Sequence, residues 1–221
     1  YAENFFASEY RMNYLLHTYK KPLICWGHGV VMGGGLGILA GCGHRVVSER
    51  TRIGMPEITI ALFPDVGGSW FLNRMAGQIG RFLALTSSHI NATDALFCGL
   101  GTHFLAHEQK AKVQGALLEV EWGDDLKCNQ RLVNELLTSL PAEVSPPDGQ
   151  LEPHLDMIND WMAGESLPAI VDRVLAWTGE DIWLSKARDG LMQGSPLAAN
   201  WIFRQLNQTR QANLREVFES E

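Results

Sequence analysis

Residues 23–40 read LICWGHGVVMGGGLGILA, and this stretch decides the fold. Its apolar start at 23–26 is typical of a short buried strand, and the glycines at 33–35 open an apolar segment that predicts a short helix. Glycine lowers helix stability by about 1 kcal/mol per position relative to alanine, so three in succession require a reason. Without side chains, they let a ligand approach backbone N–H groups where the helix dipole is positive. The stretch therefore predicts a site for a phosphate, a carboxylate or a developing oxyanion; the alternative is a tight turn with close helix–strand packing.

The same glycines also fit the G-x-G-x-x-G/A pattern of dinucleotide-binding folds, through residues 35–40. That fold requires a full helix before its second strand and an acidic residue at the tip of that strand. Here the second strand is predicted to begin near Arg45, which is too soon for such a helix, and Glu57 follows Pro56 in a turn-rich loop. We therefore do not expect a dinucleotide cofactor.

Two carboxylates, Glu57 and Asp65, follow in the turn-rich stretch 53–68 (IGMPEITIALFPDVGG). Apolar neighbours would shift the pKa of a buried carboxyl group in this stretch, which suits a general base or a nucleophile. Either acid alone would more often be a helix cap or part of a loop ion pair. Beside a glycine turn that can stabilise an oxyanion, the two acids indicate acyl transfer at a thioester carbonyl.

Helical patterns dominate the rest of the chain, and a second strand is predicted at 45–47. The predicted helices span 3–19, 69–75, 79–85, 108–122, 129–139, 154–163, 167–177, 180–192 and 196–218, and another, capped by Asn91 or Thr93, runs through Phe97. The Pro-rich segment 141–153 interrupts them. The sequence thus predicts an α/β fold with a core over residues 1–140, a linker or surface loop over 141–153, and an α-helical C-terminal region over 154–221.

Composition and charge exclude several classes of protein. Hydrophobic residues make up 46% and charged residues 19%, which excludes a disordered chain. The formal net charge of −7, without a basic cluster, predicts no nucleic-acid partner. No apolar run reaches the roughly 18 residues of a membrane helix, so no membrane association is expected. Cys25, Cys42, Cys98 and Cys128 form no C-x-x-C pair and indicate free thiols in a reducing compartment.

Four motifs carry a resemblance to a known family. They are FFASEYRMNYLLHTYKKP (5–22), HGVVMGGGLG (28–37), MPEITIALFPDVGG (55–68) and RFLALTSSHINATDALFCGLGTHFL (81–105). Together they resemble the enoyl-CoA hydratase/isomerase (crotonase) superfamily, and in detail its 3-hydroxyisobutyryl-CoA hydrolase branch. The segment GSPLAANWIFRQL (194–206) is similar more loosely. The resemblance implies a crotonase-like core of ββα spiral turns, with N-terminal strands that this chain lacks.

The resemblance also implies roles for particular residues. Gly34, with Gly33 beside it in the substrate site, matches the residue whose N–H forms half of an oxyanion hole. Glu57 matches the catalytic glutamate, and Asp65 matches a second active-site acid of the hydrolases. Glu9 matches a substrate-contacting glutamate on the preceding helix. The candidate catalytic residues are therefore Gly34, Glu57 and Asp65, and the candidate substrate-binding residues add Glu9 and Gly33.

One position separates hydrolysis from hydration in this superfamily. Hydratases carry a second glutamate three residues beyond the middle glycine, where this chain has Gly37. The resemblance therefore implies hydrolysis of a short branched acyl-CoA thioester, 3-hydroxyisobutyryl-CoA to 3-hydroxyisobutyrate and CoA in valine catabolism, with Glu57 as nucleophile or as general base. The alternatives are hydratase or isomerase activity on another acyl-CoA, and a non-catalytic crotonase-fold module used for assembly.

The resemblance also has implications for cofactors, oligomeric state and cellular compartment. Coenzyme A enters only as part of the acyl-CoA substrate, no other cofactor is expected, and no metal is expected, since no third ligand joins His103 and His107. A homo-oligomer is expected, of the trimer type formed through C-terminal helices. The compartment would be the cytoplasm, or the mitochondrial matrix in a eukaryote. The family places the other oxyanion N–H and much of the adenine site upstream, and residues 1–4 cannot supply them, so we expect this chain to be a piece of a longer protein.

Overall fold

The computed structural model describes residues 2–221, with side chains from residue 4 onward. The strands in this part are β1 (Ile24–Gly27), β2 (Val30–Met32), β3 (His44–Val47), β4 (Arg52–Gly54) and β5 (His103–Phe104). The helices are α1 (Ala2–Thr18), α2 (Gly34–Gly41), α3 (Gly68–Leu72), α4 (Ile79–Thr86), α5 (Ala92–Phe97), α6 (Lys110–Leu118), α7 (Leu126–Ser139), α8 (Leu155–Trp161), α9 (Leu167–Leu175), α10 (Ile182–Gln193), α11 (Pro196–Gln208) and α12 (Leu214–Ser220). Two 3-10 helices span Glu57–Ile60 and His107–Gln109. None of the described helices is both long and apolar enough to cross a bilayer.

The strands pair as a repeated β–β–α unit. In one sheet β1 pairs in parallel with β3, and β3 with β5; in the other, β2 pairs in parallel with β4. The unit β1–β2–α2 is therefore followed by β3–β4, whose strands lie beside those of the first unit, one in each sheet. These stacked units form the predicted ββα spiral. The α/β fold class with a helical C-terminal region is confirmed.

Strands β2, β4 and β5 are missing from the sequence prediction. Each has only two or three residues, which is too short to display the alternation that identifies a strand. Strand β4 contains the start of the stretch 53–68, which we interpreted as turns throughout. Because β2 and β4 are neighbours in register, with Met32 opposite Gly54, the residues that follow them emerge side by side. This pairing brings Gly33 and Glu57 to the same edge of the sheet.

Helix α4 connects the core to the C-terminal helices. All of its residues are buried, and it packs against α8, α10 and α11. Glycine permits two close approaches: a Cβ on Gly80 would overlap the carbonyl oxygen of Leu72, and one on Gly190 would overlap that of Thr86. A single hydrophobic cluster consequently extends from the strands into α11.

The segment 141–153 is held against α5 by hydrogen bonds. The Asp94 carboxylate accepts from the N–H groups of Gln150 at 2.6 Å and Leu151 at 2.7 Å. The Asn91 side chain donates to the carbonyl oxygen of Asp148 at 2.6 Å. The segment is thus anchored at its C-terminal end, and the boundaries 1–140, 141–153 and 154–221 stay a prediction.

The prediction of one helix over 196–218 is wrong, since α11 ends at Gln208 and α12 begins at Leu214. Asn213 starts the new helix with a capping box: its side chain accepts from the Glu216 N–H at 3.1 Å, and the Glu216 carboxylate accepts from the Asn213 N–H at 2.8 Å. An asparagine side chain competes with the backbone for hydrogen bonds, which favours a helix start over a helix interior. The break lets α12 pack against α1 and α3.

Candidate active site

The glycine turn places backbone N–H donors at the start of α2. Gly33 precedes the helix with φ 50° and ψ −127°, a conformation that residues with a side chain rarely adopt. Leu36 and Gly37 donate the first N–H bonds, both to the carbonyl oxygen of Gly33, at 2.9 Å and 3.1 Å. The N–H of Gly34 precedes these bonds, at the positive end of the helix dipole. It can therefore donate to an anionic or developing oxygen.

Glu57 lies at this turn and is almost completely buried, with 6% of its surface exposed. A Cβ built on Gly33 would lie 3.7 Å from Glu57 Oε1, so that oxygen faces the glycine turn. Glu57 Oε2 is buried and has no hydrogen-bond partner in the described part of the chain. Burial raises the pKa of Glu57 from 4.5 to about 7, and the charge of Asp65 acts in the same direction. Near neutral pH this carboxyl group can thus give up or accept a proton, or attack as an anion.

Asp65 is half-buried and accepts a hydrogen bond from the Tyr10 hydroxyl group, with 3.0 Å between Tyr10 Oη and Asp65 Oδ2. Burial raises the pKa of Asp65, and the hydrogen bond from Tyr10 opposes that rise. Burial and the charge of Asp65 in turn raise the pKa of Tyr10, which keeps its proton on the phenol. Sequence reasoning missed Tyr10; its position directly after Glu9 is the signal that could have indicated it.

Glu9 lies over the first residue of α2. A Cβ on Gly34 would lie only 2.8 Å from Glu9 Oε1, so the carboxyl group occupies the space beside this glycine. Burial raises the pKa of Glu9, with a further contribution from the charge of Asp65. The structure therefore brings Glu9, Gly33, Gly34, Glu57 and Asp65 together, and their catalytic and substrate-binding roles stay predictions.

Gly37 has no room for a side chain. A Cβ at this position would lie 2.6 Å from Val66 Cβ and 3.2 Å from the Val66 carbonyl oxygen. Val66 itself has φ 53°, an unusual conformation for a β-branched residue. A glutamate at position 37 would require movement of the loop that carries Asp65. The site consequently holds one glutamate on the β4 side and none on this face of α2.

The end of the chain holds the loop after Asp65 in place. Glu221 Oε2 accepts from the Gly67 N–H at 2.7 Å, and Oε1 accepts from the Ser69 N–H at 3.1 Å and from Ser69 Oγ at 2.7 Å. The Phe218 ring packs on Gly67, where a Cβ would lie 2.9 Å from Phe218 Cζ. Sequence reasoning did not identify this contact, because it depends on the helix break before α12.

The contacts of His28, His103 and His107 do not include the residues of this site. His28 Nδ1 is 2.7 Å from Ser48 Oγ, and its ring stacks on that of His107 with centroids 3.6 Å apart. His103 belongs to β5, whereas His107 starts a 3-10 helix, so the two do not share a helix face. Within residues 2–221, no group of three or more His, Cys, Asp or Glu side chains is arranged to hold a metal ion.

Comparisons with known proteins agree with this architecture. The family model for enoyl-CoA hydratase/isomerase matches residues 1–221. The mitochondrial 3-hydroxyisobutyryl-CoA hydrolase of Xenopus tropicalis is 34% identical over 220 residues, which cover 100% of this chain and 56% of that protein. A small ribosomal subunit protein of Neurospora crassa is 29% identical over 228 residues, covering 99% of this chain and 45% of that protein. A crystal structure of an enoyl-CoA hydratase from Rhodobacter sphaeroides aligns with a TM-score of 0.80 and 31% identity, over 97% of this chain and 58% of the other.

The chain spans about half the length of the curated relatives it matches. The family model matches all of residues 1–221, and the parallel β–β–α units and the glycine turn agree with that match. On this basis the chain belongs to the enoyl-CoA hydratase/isomerase family.

Proposed function

We propose that this chain supplies the glycine turn and the carboxylates of an acyl-CoA thioester hydrolase. The observation that carries the proposal is Glu57, a buried carboxyl group with an unpartnered Oε2, beside the first N–H groups of α2. Burial of this carboxyl group raises its pKa towards neutral, which suits a group that donates, accepts or attacks during a reaction.

In the proposed reaction, the thioester carbonyl oxygen accepts a hydrogen bond from the Gly34 N–H. The carbonyl carbon then has two available nucleophiles. In the first route Glu57 attacks it, the C–S bond breaks to release CoA as the thiol, and water cleaves the resulting anhydride. In the second route Glu57 takes a proton from a water molecule that attacks the same carbon, the C–S bond breaks, and the proton passes to the CoA sulfur, so that the acid and the free thiol are released. The second oxyanion donor, in this proposal, comes from residues outside these 221.

Hydrolysis is favoured over hydration by the contact between Gly37 and Val66. Hydration of an enoyl-CoA by two glutamates would need a second carboxylate on α2. Val66 fills the space that a side chain at position 37 would occupy. Glu9, beside Gly34, and Asp65 instead offer carboxylate oxygens that can accept hydrogen bonds from a hydroxyl group on the acyl chain. This arrangement supports a hydroxyacyl-CoA substrate.

The acyl group that we propose is 3-hydroxyisobutyryl, as in valine breakdown. The name of the Xenopus tropicalis relative supports this choice, and the same name supports a mitochondrial compartment in a eukaryote. Coenzyme A would be present only as part of the substrate. A trimer formed through C-terminal helices stays a prediction.

The test is release of free thiol from 3-hydroxyisobutyryl-CoA and a panel of other short acyl-CoA thioesters, using the natural protein that carries these residues. Glu57→Gln should lower the rate by at least about a hundredfold, because it removes both the nucleophile and the base. It should still bind acyl-CoA, since the amide keeps the shape of the site. Glu119→Gln, at the exposed C-terminal end of α6, is the matched control and should retain full activity. Wild-type rates in Glu57→Gln would contradict the proposal.

A second candidate function is a structural subunit of a larger assembly. The observation in its favour is the Neurospora crassa relative, which is named as a ribosomal subunit protein. Binding of acyl-CoA without thiol release and without any change in the acyl group would support it. Conversion of an enoyl-CoA without thiol release would instead support a hydratase or isomerase.

A further inference from the structure

Tyr10 is fixed by contacts on both its ring and its hydroxyl group. The ring packs against Phe218 of α12, with centroids 6.1 Å apart, and the hydroxyl group donates to Asp65 Oδ2 at 3.0 Å. Helix α1 itself packs closely on α2, since a Cβ on Gly41 would lie 2.9 Å from Leu16 Cβ. The Tyr10 hydroxyl group is therefore held in position by three packed helices.

Among the described residues, the ionisable groups whose pKa the charge of Asp65 shifts are all acidic. They are Glu9 and Tyr10 from α1, Glu57 from the 3-10 helix, and Glu221 from the end of the chain, and the charge of Asp65 raises the pKa of each of them. Burial raises the pKa of all these carboxyl groups, and the charge of Asp65 adds to that rise in Glu9, Glu57 and Glu221. A hydrogen bond to one member therefore shifts the proton distribution within the cluster. The bond from Tyr10 stabilises the ionised form of Asp65 specifically, since a phenol proton is donated to an anion more strongly than to a neutral acid.

On the basis of the proposed hydrolase function, we propose that Tyr10 is a positioning residue, which orients Asp65 and holds it as the ionised member of the cluster. Glu57 then carries the exchangeable proton, and the nearby negative charge of Asp65 keeps that proton available near neutral pH. Without the hydroxyl group, Asp65 and Glu57 would compete for one proton, and the two groups would titrate as a coupled pair.

The experiment compares Tyr10→Phe with Tyr14→Phe. Tyr14 lies on the same helix and contacts the same ring of Phe218, also with centroids 6.1 Å apart, so the control removes an equivalent hydroxyl group that does not bond to Asp65. The first readout is a pH titration of the Asp65 carboxyl carbon by 13C NMR, which requires no activity. Loss of a hydrogen bond to a charged group should raise the pKa of Asp65 by roughly one to two pH units in Tyr10→Phe, and leave it unchanged in Tyr14→Phe.

The second readout is the pH profile of kcat/KM for thiol release. In Tyr10→Phe the acid limb should change shape, because the pKa of Asp65 rises towards that of Glu57 and the two groups titrate as a coupled pair. The value of kcat should fall by up to about a hundredfold through misplacement of Asp65, with KM nearly unchanged. In an Asp65→Asn background, Tyr10→Phe should add little, since the anion that it positions is gone.

The outcomes separate this inference from the proposed function. A raised Asp65 pKa in Tyr10→Phe supports the positioning role even if the wild-type protein releases no thiol, in which case only the hydrolase proposal fails. An Asp65 titration that is the same in wild type and Tyr10→Phe, or that shifts equally in Tyr14→Phe, would overturn the positioning role. A uniform fall in rate at every pH, without a change in the shape of the profile, would also overturn it.

Discussion

Gly37 packs directly against Val66, so that a Cβ at position 37 would be 2.6 Å from Val66 Cβ. Real Cβ atoms do not come this close, so any side chain at 37 must displace Val66. Val66 directly follows Asp65 and already has φ 53°. Glycine at position 37 therefore allows the loop that carries Asp65 to pack closely against α2.

Gly37→Ala should therefore destabilise the protein although alanine is the better helix former. We expect a loss of about 1–3 kcal/mol in the free energy of unfolding, as for other side chains added to a packed interior, measured by denaturant titration. The matched control is Gly115→Ala in α6, where a Cβ would have no neighbour within 4 Å. That substitution should raise stability by up to about 1 kcal/mol. Equal stability of Gly37→Ala and wild type would contradict the packing described for Val66.

Glu57→Gln should be more stable than wild type above neutral pH. The pKa of Glu57 is about 7 in the folded protein, against 4.5 for an unperturbed glutamate. The unfolded state therefore loses its proton first, and wild-type stability falls as the pH rises from about 4.5 to about 7. The loss is at most about 3 kcal/mol, and the uncharged variant avoids it.

The difference between Glu57→Gln and wild type should thus be small at acidic pH and reach about 1–3 kcal/mol by about pH 8, as measured by chemical unfolding at a series of pH values. Glu119→Gln should show no such pH-dependent gain. A wild-type protein that is the more stable of the two in mild alkali would contradict the burial of an uncompensated carboxyl group at position 57.

Asp65→Asn should move the acid limb of the activity profile to lower pH. If Glu57 must be ionised to react, kcat/KM of the wild type rises with pH and levels off above about 7. The negative charge of Asp65 contributes to that value, so removing it lowers the pKa of Glu57. The measurement is kcat/KM for thiol release across the pH range. An acid limb that stays in place or moves to higher pH would show that the charge of Asp65 does not raise the pKa of Glu57.

The sequence predicted the glycine turn and the two acids of the 53–68 stretch because each has a local signal: glycine in a helix start, and carboxylates among apolar residues and prolines. Their association with each other and with Glu9 came from the family resemblance, since local spacing does not determine which loops meet. The pairing of β2 with β4 brings Gly33 and Glu57 together, and strands of three residues have no period to detect.

The contacts of Phe218 with Tyr10 and of Glu221 with Gly67 and Ser69 were not predictable from local pattern. They depend on the break between α11 and α12, which the apolar periodicity of 196–218 does not reveal. The capping box at Asn213 decides that break, and its signal, Asn followed three residues later by Glu, is visible once a helix end is considered there. At this point the capping box determines the structure, although the apolar periodicity favours a continuous helix. The contacts of Phe218 and Glu221 with the loop after Asp65 depend on this helix break.

The most direct test of thioester hydrolysis at this site is a turnover experiment in 18O-labelled water with 3-hydroxyisobutyryl-CoA and the natural protein that carries these residues, followed by mass spectrometry of both products. We predict free CoA thiol in an amount equal to the acid formed, 18O in the carboxyl group of that acid, and neither product with Glu57→Gln. An intact thioester after incubation, whether unchanged or with 18O added to the acyl chain as a new hydroxyl group, would contradict the account.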